Sequence, residues 1–216
     1  MIIAVDGPSG AGKSSACKLV SKEINFEYLD TGAMYRACAY KLFLLNKDIT
    51  EENAAKYIKD INIDYINNQI YLDNDNIEDK IRTPKVSMGA SDISKIAYVR
   101  NVMVDLQRKI ASSKNVIVDG RDIGTVVFPN ADLKIYITAS AEIRGKRRFD
   151  ELIAKGEDVK LHEIIKDIEL RDKNDTNRKI SPLKIADDAV LLDTSSQTLD
   201  EVVSTMILLY KKRKQA

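Results

Sequence analysis

Histidine, cysteine and proline are scarce in this chain of 216 residues, which contains one, two and four of them. The two cysteines, Cys17 and Cys38, lie in stretches that read as helices, and neither has a Cys-x-x-Cys or Cys/His partner. They therefore predict reduced, structural thiols in a reducing compartment. The single histidine, His162, lies in a polar stretch, and we expect it to take no part in catalysis.

An excess of charge of either sign is also missing. The 34 basic and 33 acidic side chains leave a net charge of +1, so the overall electrostatics predicts neither a nucleic acid nor a membrane partner. The basic run at residues 211–214 is typical of a solvated helix end. The apolar start, residues 2–5, is followed at once by Asp6 and is too short for a signal peptide or a membrane span. A cytoplasmic protein is expected.

With 44% hydrophobic and 31% charged residues and no internal repeat, the chain is typical of one globular unit. Four short apolar runs predict buried strands, at residues 2–5, 115–119, 133–137 and 190–193. They alternate with predicted helices at residues 13–24, 99–112 and 199–212. This alternation predicts an α/β fold, with a parallel sheet covered by helices on both faces.

Two segments depart from this alternation. Residues 61–73, "INIDYINNQIYLD", alternate apolar and polar residues around Asn67 and Asn68, which predicts a small antiparallel hairpin with an Asx-type turn. Residues 141–178 are rich in charge and poor in core-forming runs. They predict two helices joined through Gly156 that project from the core and can move.

The stretch "GPSGAGKSS" follows the first predicted strand and matches G-x-x-x-x-G-K-[ST]. Its glycines allow backbone N–H groups to surround an anion, and the helix that follows adds its positive end. Lys13 is expected to reach the β- and γ-phosphates, and the Ser14 hydroxyl to hold Mg²⁺. The predicted ATP-binding loop comprises Gly7, Pro8, Ser9, Gly10, Ala11, Gly12, Lys13, Ser14 and Ser15.

A triphosphate loop alone is compatible with a GTPase, a motor, a small-molecule kinase or a nucleotide sensor. A GTPase requires an N-K-x-D and a D-x-x-G motif, and neither "NKDI" at residues 46–49 nor "DGRDIG" at residues 119–124 supplies one. A motor usually has a longer chain. A kinase requires instead a second anion site built from arginines, because a guanidinium can donate two hydrogen bonds to one phosphate.

Four arginines have suitable settings: Arg36, Arg100, Arg121 and Arg171. The motif "VDGRDIG" is the most informative, because it begins at the end of a predicted strand, where open α/β sheets bind ligands. There Arg121 offers donors to a phosphate, and Asp122 offers an acceptor to an exocyclic amino group. This combination is typical of a nucleotide site.

In addition, the segments "DGPSGAGKSS", "LDTGAMYRA", "IRTPKVSMGAS", "VDGRDIGTVVFP", "RDKNDTNR" and "SPLKIADDAVLLDTS" occur in the order and spacing of the bacterial cytidylate kinases. The chain resembles this family from residue 2 to about residue 209. The resemblance implies transfer of a phosphoryl group from ATP, with Mg²⁺, to CMP or dCMP. It also implies a core (1–34, 101–143 and 179–216), a monophosphate-binding insert (35–100) and a lid (144–178).

The resemblance also implies roles for single residues. Arg36 and Arg121 would hold the α-phosphate of CMP; Ser91, Arg100 and Asp122 would read cytosine. Arg171 and Asp175 would contact the pentose and phosphates, Tyr35 would flank the base or pack in the core, and lid arginines such as Arg144 and Arg148 would reach ATP. The expected catalytic residues are Lys13, Arg121 and Arg171. The expected substrate-binding residues are Thr31, Tyr35, Arg36, Ser91, Arg100, Asp119, Gly120, Arg121, Asp122, Arg171, Asp175 and Arg178.

Two positions differ from many family members. Thr31 stands where serine is frequent, and its extra methyl group could alter the fit around the sugar; Thr176 stands where arginine is common. A monomer is expected. The alternatives that stay open are a kinase for another small acceptor, such as UMP, AMP or shikimate, and an ATP-binding regulator without phosphoryl transfer.

Overall fold

The computed structural model describes residues 1–66 and 69–215. Its main sheet has five parallel strands in the order β2-β6-β1-β7-β8. These strands are β1 (Ile2–Asp6), β2 (Glu27–Asp30), β6 (Val116–Gly120), β7 (Leu133–Thr138) and β8 (Val190–Asp193). Strands β1 and β6 are buried along almost their whole length, as expected of apolar runs covered on both faces. The predicted parallel α/β fold is confirmed.

Helices cover both faces of this sheet, because successive strand residues point to opposite sides. On one face, Ala4 packs with residues of α2 (Thr31–Leu44) and α5 (Ala97–Ala111). On the other, Ile3 and Val5 pack with α1 (Lys13–Glu23) and α8 (Leu199–Gln215). The three helices predicted at residues 13–24, 99–112 and 199–212 are confirmed, with ends shifted by one to three residues.

Strand β2 was not among the predicted strands. It has only four residues, Glu27–Asp30, and helix α2 begins directly after it at Thr31. A run this short, with an exposed Glu27, has no clear apolar period. It is a strand because β6 provides the hydrogen-bonding partner, in a register that places Asp30 opposite Asp119.

The insert between α2 and α5 contains a second, smaller sheet. Its strands β3 (Ile63–Ile66), β4 (Gln69–Leu72) and β5 (Asp75–Asn76) are antiparallel, and Ile63 lies opposite Leu72. The predicted hairpin is confirmed, although its Asx-type turn at Asn67 and Asn68 lies outside the described residues. In the chain, helix α3 (Glu51–Tyr57) precedes this sheet and helix α4 (Pro84–Ile93) follows it; α4 packs against α2.

The charge-rich segment forms α6 (Ala141–Ala154) and α7 (Leu161–Asn177), as predicted. Gly156, in the loop between them, has a φ of 79°, which favours glycine. The two helices pack on each other through a small apolar cluster of Leu152, Ile164 and Ile168. Movement of this pair as a lid, and the division into core, insert and lid, stay predictions; the boundaries at 35 and 100 lie within α2 and α5.

A search of the described residues for a helix that is both long and apolar enough to cross a membrane finds none.

Candidate active site

A cavity of about 850 Å³ opens at the carboxyl ends of the main-sheet strands, between the glycine loop, the insert and α6–α7. This is where ligands bind in open α/β sheets. Most of the site residues predicted from the sequence line it: Ser9, Gly10, Ala11, Gly12, Lys13, Ser14, Ser15, Thr31, Tyr35, Arg36, Ser91, Arg100, Asp119, Gly120, Arg121, Asp122, Arg148, Arg171, Asp175 and Arg178. Gly7, Pro8 and Arg144 do not line it.

The glycine loop joins β1 to α1 in the conformation that the motif predicts. Gly7 has a φ of 145°, and a Cβ there would overlap the carbonyl group of Ile137 on β7. Gly12 has a φ of 86° and precedes the first residue of α1. Glycine is needed at both positions, since other residues rarely adopt these angles. The loop therefore holds its N–H groups and the α1 N-terminus at one end of the cavity.

Lys13 lies beneath this loop. Its Nζ atom donates a hydrogen bond to the carbonyl oxygen of Pro8 over 2.7 Å, and its side chain is buried. Burial, together with the positive charge of Arg121, lowers the pKa of Lys13 to about 7. An anion that entered the loop would stabilise the ammonium form and reverse this shift.

Ser14 and Asp119 form a pair at the same end of the cavity. The Ser14 hydroxyl donates to Oδ2 of Asp119 over 2.7 Å, and Oδ1 of Asp119 is buried without a hydrogen-bond partner. Burial raises the pKa of Asp119 to about 6, and the negative charge of Asp30 adds to the effect. Among the described residues, no cluster of three or more His, Cys, Asp or Glu side chains could hold a metal unaided. A hydroxyl and a carboxylate fit Mg²⁺ shared with phosphate oxygens.

Three guanidinium groups converge in the same cavity. Arg36 is on α2, Arg121 follows β6, and Arg171 is on α7. The Nε atoms of Arg36 and Arg171 are buried and make no hydrogen bond with the described residues. Burial, followed by the charge of Arg121, lowers the pKa of Arg171 to about 10. Crowded, desolvated cations with unpaired donors make a site for a strong anion.

Asp175 joins α7 to this arginine cluster. Nε of Arg121 donates to Oδ2 of Asp175 over 2.8 Å. Burial alone would raise the pKa of Asp175, but the charge and hydrogen bond of Arg121 and the charges of Arg178 and Arg171 together outweigh it, so the pKa is lowered. Because Arg171 and Asp175 are four residues apart on one helix, both face the cavity.

A second, buried charge network lies beside these arginines. Arg100, on α5, forms an ion pair with Oδ2 of Asp122, and Arg178 approaches Oδ1 of Asp122 at 3.4 Å. The Arg100 guanidinium also lies 5.8 Å from the ring centroid of Tyr35. Ser91, on α4, is buried and lines the same part of the cavity. These side chains offer both donors and acceptors, which is what recognition of a nucleobase edge requires.

Asp6 holds the loop that carries Arg121 and Asp122. It ends β1 and accepts hydrogen bonds from the backbone N–H groups of Ile123 (2.8 Å) and Gly124 (2.7 Å). Burial raises the pKa of Asp6 to about 6, although both hydrogen bonds oppose the shift. The residue before the glycine loop thus fixes the position of the loop that carries Arg121 and Asp122.

Thr31 is buried, and its hydroxyl donates to the carbonyl oxygen of Asp119 over 2.7 Å. A Cβ on Gly120 would overlap this hydroxyl, so the Thr31 hydroxyl is closely packed against β6.

The two α6 arginines that were expected to reach ATP are arranged differently from one another. Arg144 is buried and donates to the carbonyl oxygens of Ala139 (2.8 Å) and Ser9 (3.0 Å) and to Asp172 (2.6 Å). It braces the glycine loop against α7 instead of facing the cavity. Arg148 does line the cavity and pairs with Glu151 at 2.8 Å.

The lining residues that were not predicted from the sequence include three with charged side chains that contact the site: Asp30, Arg82 and Arg147. Asp30 ends β2, the strand that the sequence did not predict, so its position at the sheet edge could not be predicted either. Arg147 stands in the charged run "RGKRRFDEL", where no pattern separates it from its neighbours. It donates to the carbonyl oxygen of Thr194 over 2.7 Å, next to Gly12.

A glycine loop on a parallel sheet and a cluster of arginines in the same cavity define a P-loop phosphotransferase. The family model for cytidylate kinase matches residues 3–212. The chain is 47% identical to a cytidylate kinase of Clostridioides difficile (strain 630), over 96% of this chain and 96% of that protein. It is 44% identical to a cytidylate kinase of Caldicellulosiruptor bescii, over 97% and 95% of the two chains. The chain belongs to the cytidylate kinase family.

Solved structures agree on the fold. A shikimate kinase from Bacteroides thetaiotaomicron superposes with a TM-score of 0.50 and 10% sequence identity, and the alignment covers 98% of both chains. At this identity the similarity concerns the fold alone.

Proposed function

We propose that this protein transfers the γ-phosphoryl group of ATP to CMP or dCMP and releases ADP and CDP or dCDP. The observation that carries the proposal is the cavity itself, which the glycine loop and Lys13 line together with three guanidinium groups, those of Arg36, Arg121 and Arg171. Membership of the cytidylate kinase family, over almost the whole chain, supports the choice of acceptor.

The glycine loop would hold the triphosphate. The N–H groups of the loop and the N-terminus of α1 surround the phosphates, and Lys13 neutralises the β- and γ-oxygens. Ser14 and Asp119 would hold Mg²⁺, which was expected of Ser14 alone; their contact supports this. The metal would supply positive charge that offsets the charge of the triphosphate.

The three arginines would hold the monophosphate, and catalysis would consist mainly of positioning the two phosphates. Arg36 and Arg121 would grip the α-phosphate, and Arg121 and Arg171 would stabilise the charge that spreads over the transferred group. The attacking oxygen is already ionised near neutral pH, because the second pKa of a phosphate ester is about 6. No general base is required, which agrees with an exposed His162 in a chain that has no other histidine.

Choice of base falls to the network around Asp122. Its carboxylate can accept the exocyclic amino group of cytosine, while Arg100 and Ser91 offer donors to the remaining acceptors of the ring. Uracil would turn a carbonyl oxygen toward Asp122, and such a mismatch is costly because buried polar groups then stay unpaired.

We place the enzyme in the cytoplasm as a monomer. Both cysteines are free and buried, which fits a reducing compartment.

The test is a coupled assay of ADP release with ATP, Mg²⁺ and a panel of acceptors: CMP, dCMP, UMP, AMP, GMP and shikimate. Turnover of CMP and dCMP far above the others is expected. Higher turnover of another acceptor would replace the proposed substrate. ATP binding without turnover of any acceptor would favour a regulator.

A further inference from the structure

Asp30 is the centre of a charge cluster to which the mechanism above assigns no role. It ends β2, and its Oδ1 atom caps α2 by accepting from the N–H of Ala33 over 2.8 Å. Its Oδ2 atom accepts from two guanidinium groups, those of Arg36 (2.9 Å) and Arg82 (3.1 Å). The Asp30 side chain is only 6% exposed. One buried carboxylate oxygen is therefore shared by two cations.

The two arginines come from different parts of the molecule. Arg36 lies on α2, which packs on the main sheet, whereas Arg82 belongs to the insert, between β5 and α4. A second bond from the insert ends on the same residue, because the Tyr65 hydroxyl on β3 donates to the Asp30 carbonyl oxygen over 2.6 Å. Arg82 is itself held by Glu78, whose Oε1 atom lies 2.6 Å from Nη2. The insert thus contacts the core at the residue that orients Arg36.

The electrostatics of the cluster explains why two cations are needed. Without a second cation, the buried carboxylate of Asp30 would repel an acceptor phosphate nearby. It would also pair with Arg36 alone, and the positive charge of Arg36 would then be cancelled. Burial alone would raise the pKa of Asp30, but Arg36 and Arg82 together lower it, so the carboxylate is charged. When Arg82 shares that charge, Arg36 keeps positive charge and unpaired donors for an incoming anion; its buried Nε makes no bond with the described residues.

We propose that Arg82 is a positioning residue for the acceptor phosphate. It holds and neutralises the carboxylate of Asp30, so that Asp30 orients Arg36 without cancelling its charge. The proposal rests on the proposed function in one respect only, namely that Arg36 grips the phosphate of the acceptor. One consequence is that a shift of the insert relative to β2 would change how strongly Arg36 binds the acceptor phosphate.

The test compares a nucleotide with its nucleoside, because only the nucleotide has the phosphate. For Arg82→Met, the KM for CMP is expected to rise about 10-fold or more, as for the loss of a hydrogen-bonded charge. The inhibition constant of cytidine and the KM for ATP should each stay within about twofold of the wild-type values, since their contacts are elsewhere. Arg82→Lys should recover part of the CMP affinity, because it restores the cation without the two-point link.

Two further variants serve as controls. Lys80→Met removes an exposed cation two residues away and should change none of these constants. Tyr65→Phe removes the other bond from the insert to Asp30 but leaves the charge balance intact, so its effect on CMP should be smaller than that of Arg82→Met. Tyr65→Phe also tests the cluster if Arg82→Met fails to fold: a loss of CMP affinity equal to or larger than that of Arg82→Lys would overturn the proposal.

Equal weakening of CMP and cytidine binding by Arg82→Met would show a merely structural role, and an unchanged KM for CMP would exclude any role; either result overturns the proposal. If the wild-type enzyme prefers another nucleoside monophosphate, the proposed function fails. The same comparison is then made with that nucleotide and its nucleoside, and Arg82 is judged on that result.

Discussion

The surroundings of Lys13 and Asp122 lead to the clearest chemical predictions. Lys13 is a buried ammonium with a lowered pKa that lies next to a loop built for anions. Asp122 is a buried carboxylate between Arg100 and Arg178. The neighbours of both residues come from distant parts of the chain, and for each residue the effect of these neighbours can be measured.

Binding of ATP should be accompanied by proton uptake at pH 8. Lys13, with a pKa of about 7, is mostly neutral there. The phosphates favour the charged form and raise this pKa, so uptake should approach about one proton per ATP. Calorimetry in two buffers of different ionisation enthalpy measures it. Lys13→Arg, which stays charged throughout, should show almost none; a buffer-independent enthalpy for the wild type would contradict the assignment.

Asp122→Ala should lower the preference for CMP over UMP. If the carboxylate accepts the cytosine amino group, its loss removes a discrimination of roughly 10²-fold. Values of kcat/KM for both nucleotides measure the change. Asp105→Ala, at an exposed position on α5, is the matched control. Unchanged discrimination in Asp122→Ala would remove Asp122 from base reading, whatever the loss of overall activity.

The pair Ser14–Asp119 shows which part of the site the sequence can predict. The motif identifies Ser14, and the end of a buried run identifies Asp119, which was expected to bind substrate. Their contact follows from parallel pairing of β1 and β6, with Val5 opposite Asp119. The two residues are 105 positions apart, and strand order is decided by packing of the whole chain. Local sequence patterns therefore could not predict that Ser14 and Asp119 lie together.

At the level of elements, the packing of α6 on α7 depends on one small residue. Gly145 is buried in α6, and a Cβ at this position would overlap the side chain of Ile165 on α7. This close approach brings α7, with Arg171 and Asp175, to the cavity. Arg144 adds a polar contact through Asp172.

Gly145→Ala should loosen the helix pair. Overpacking of a close contact costs about 1–3 kcal/mol. The loss should appear as faster hydrogen exchange in α7, with a small change in Tm, and as weaker CMP binding through displaced Arg171. Lys146→Ala, an exposed neighbour, is the control. Unchanged exchange in α7 would mean that the interface adapts without opening.

The sequence predicted α6 and α7 but not the direction in which their side chains point. Arg144 and Arg148, four residues apart on one helix face, were expected to reach ATP, although a solvated charged face would have the same spacing. In the structure Arg144 is buried against Ser9, whereas Arg148 faces the cavity. Helical spacing places two residues on one side of a helix, but it does not say which neighbour that side meets.

The whole molecule consists of a main sheet with its helices and two attached segments that face each other across the cavity. Transfer to water must be prevented, and we predict that the insert and α6–α7 close around both substrates. The cavity of about 850 Å³ between them is the volume that closure would reduce.

Small-angle scattering should therefore show compaction when CMP and a non-hydrolysable ATP analogue bind together. Each ligand alone should produce a smaller change, since each engages one side of the cavity. The radius of gyration with neither, one and both ligands is the measurement. Identical dimensions in all four states would contradict the lid assignment.

By itself the sequence determined the local features: the glycine loop, four of the five main-sheet strands, the hairpin and the arginines that could bind phosphate. These depend on short-range patterns of apolar residues, glycine and charge, which act within a few neighbours. Only the tertiary structure decided which of them meet. The β2–β6 pairing placed Asp30 at the sheet edge, and the insert then brought Arg82 to it. Such contacts depend on the packing of segments far apart in the chain, and no local pattern encodes them.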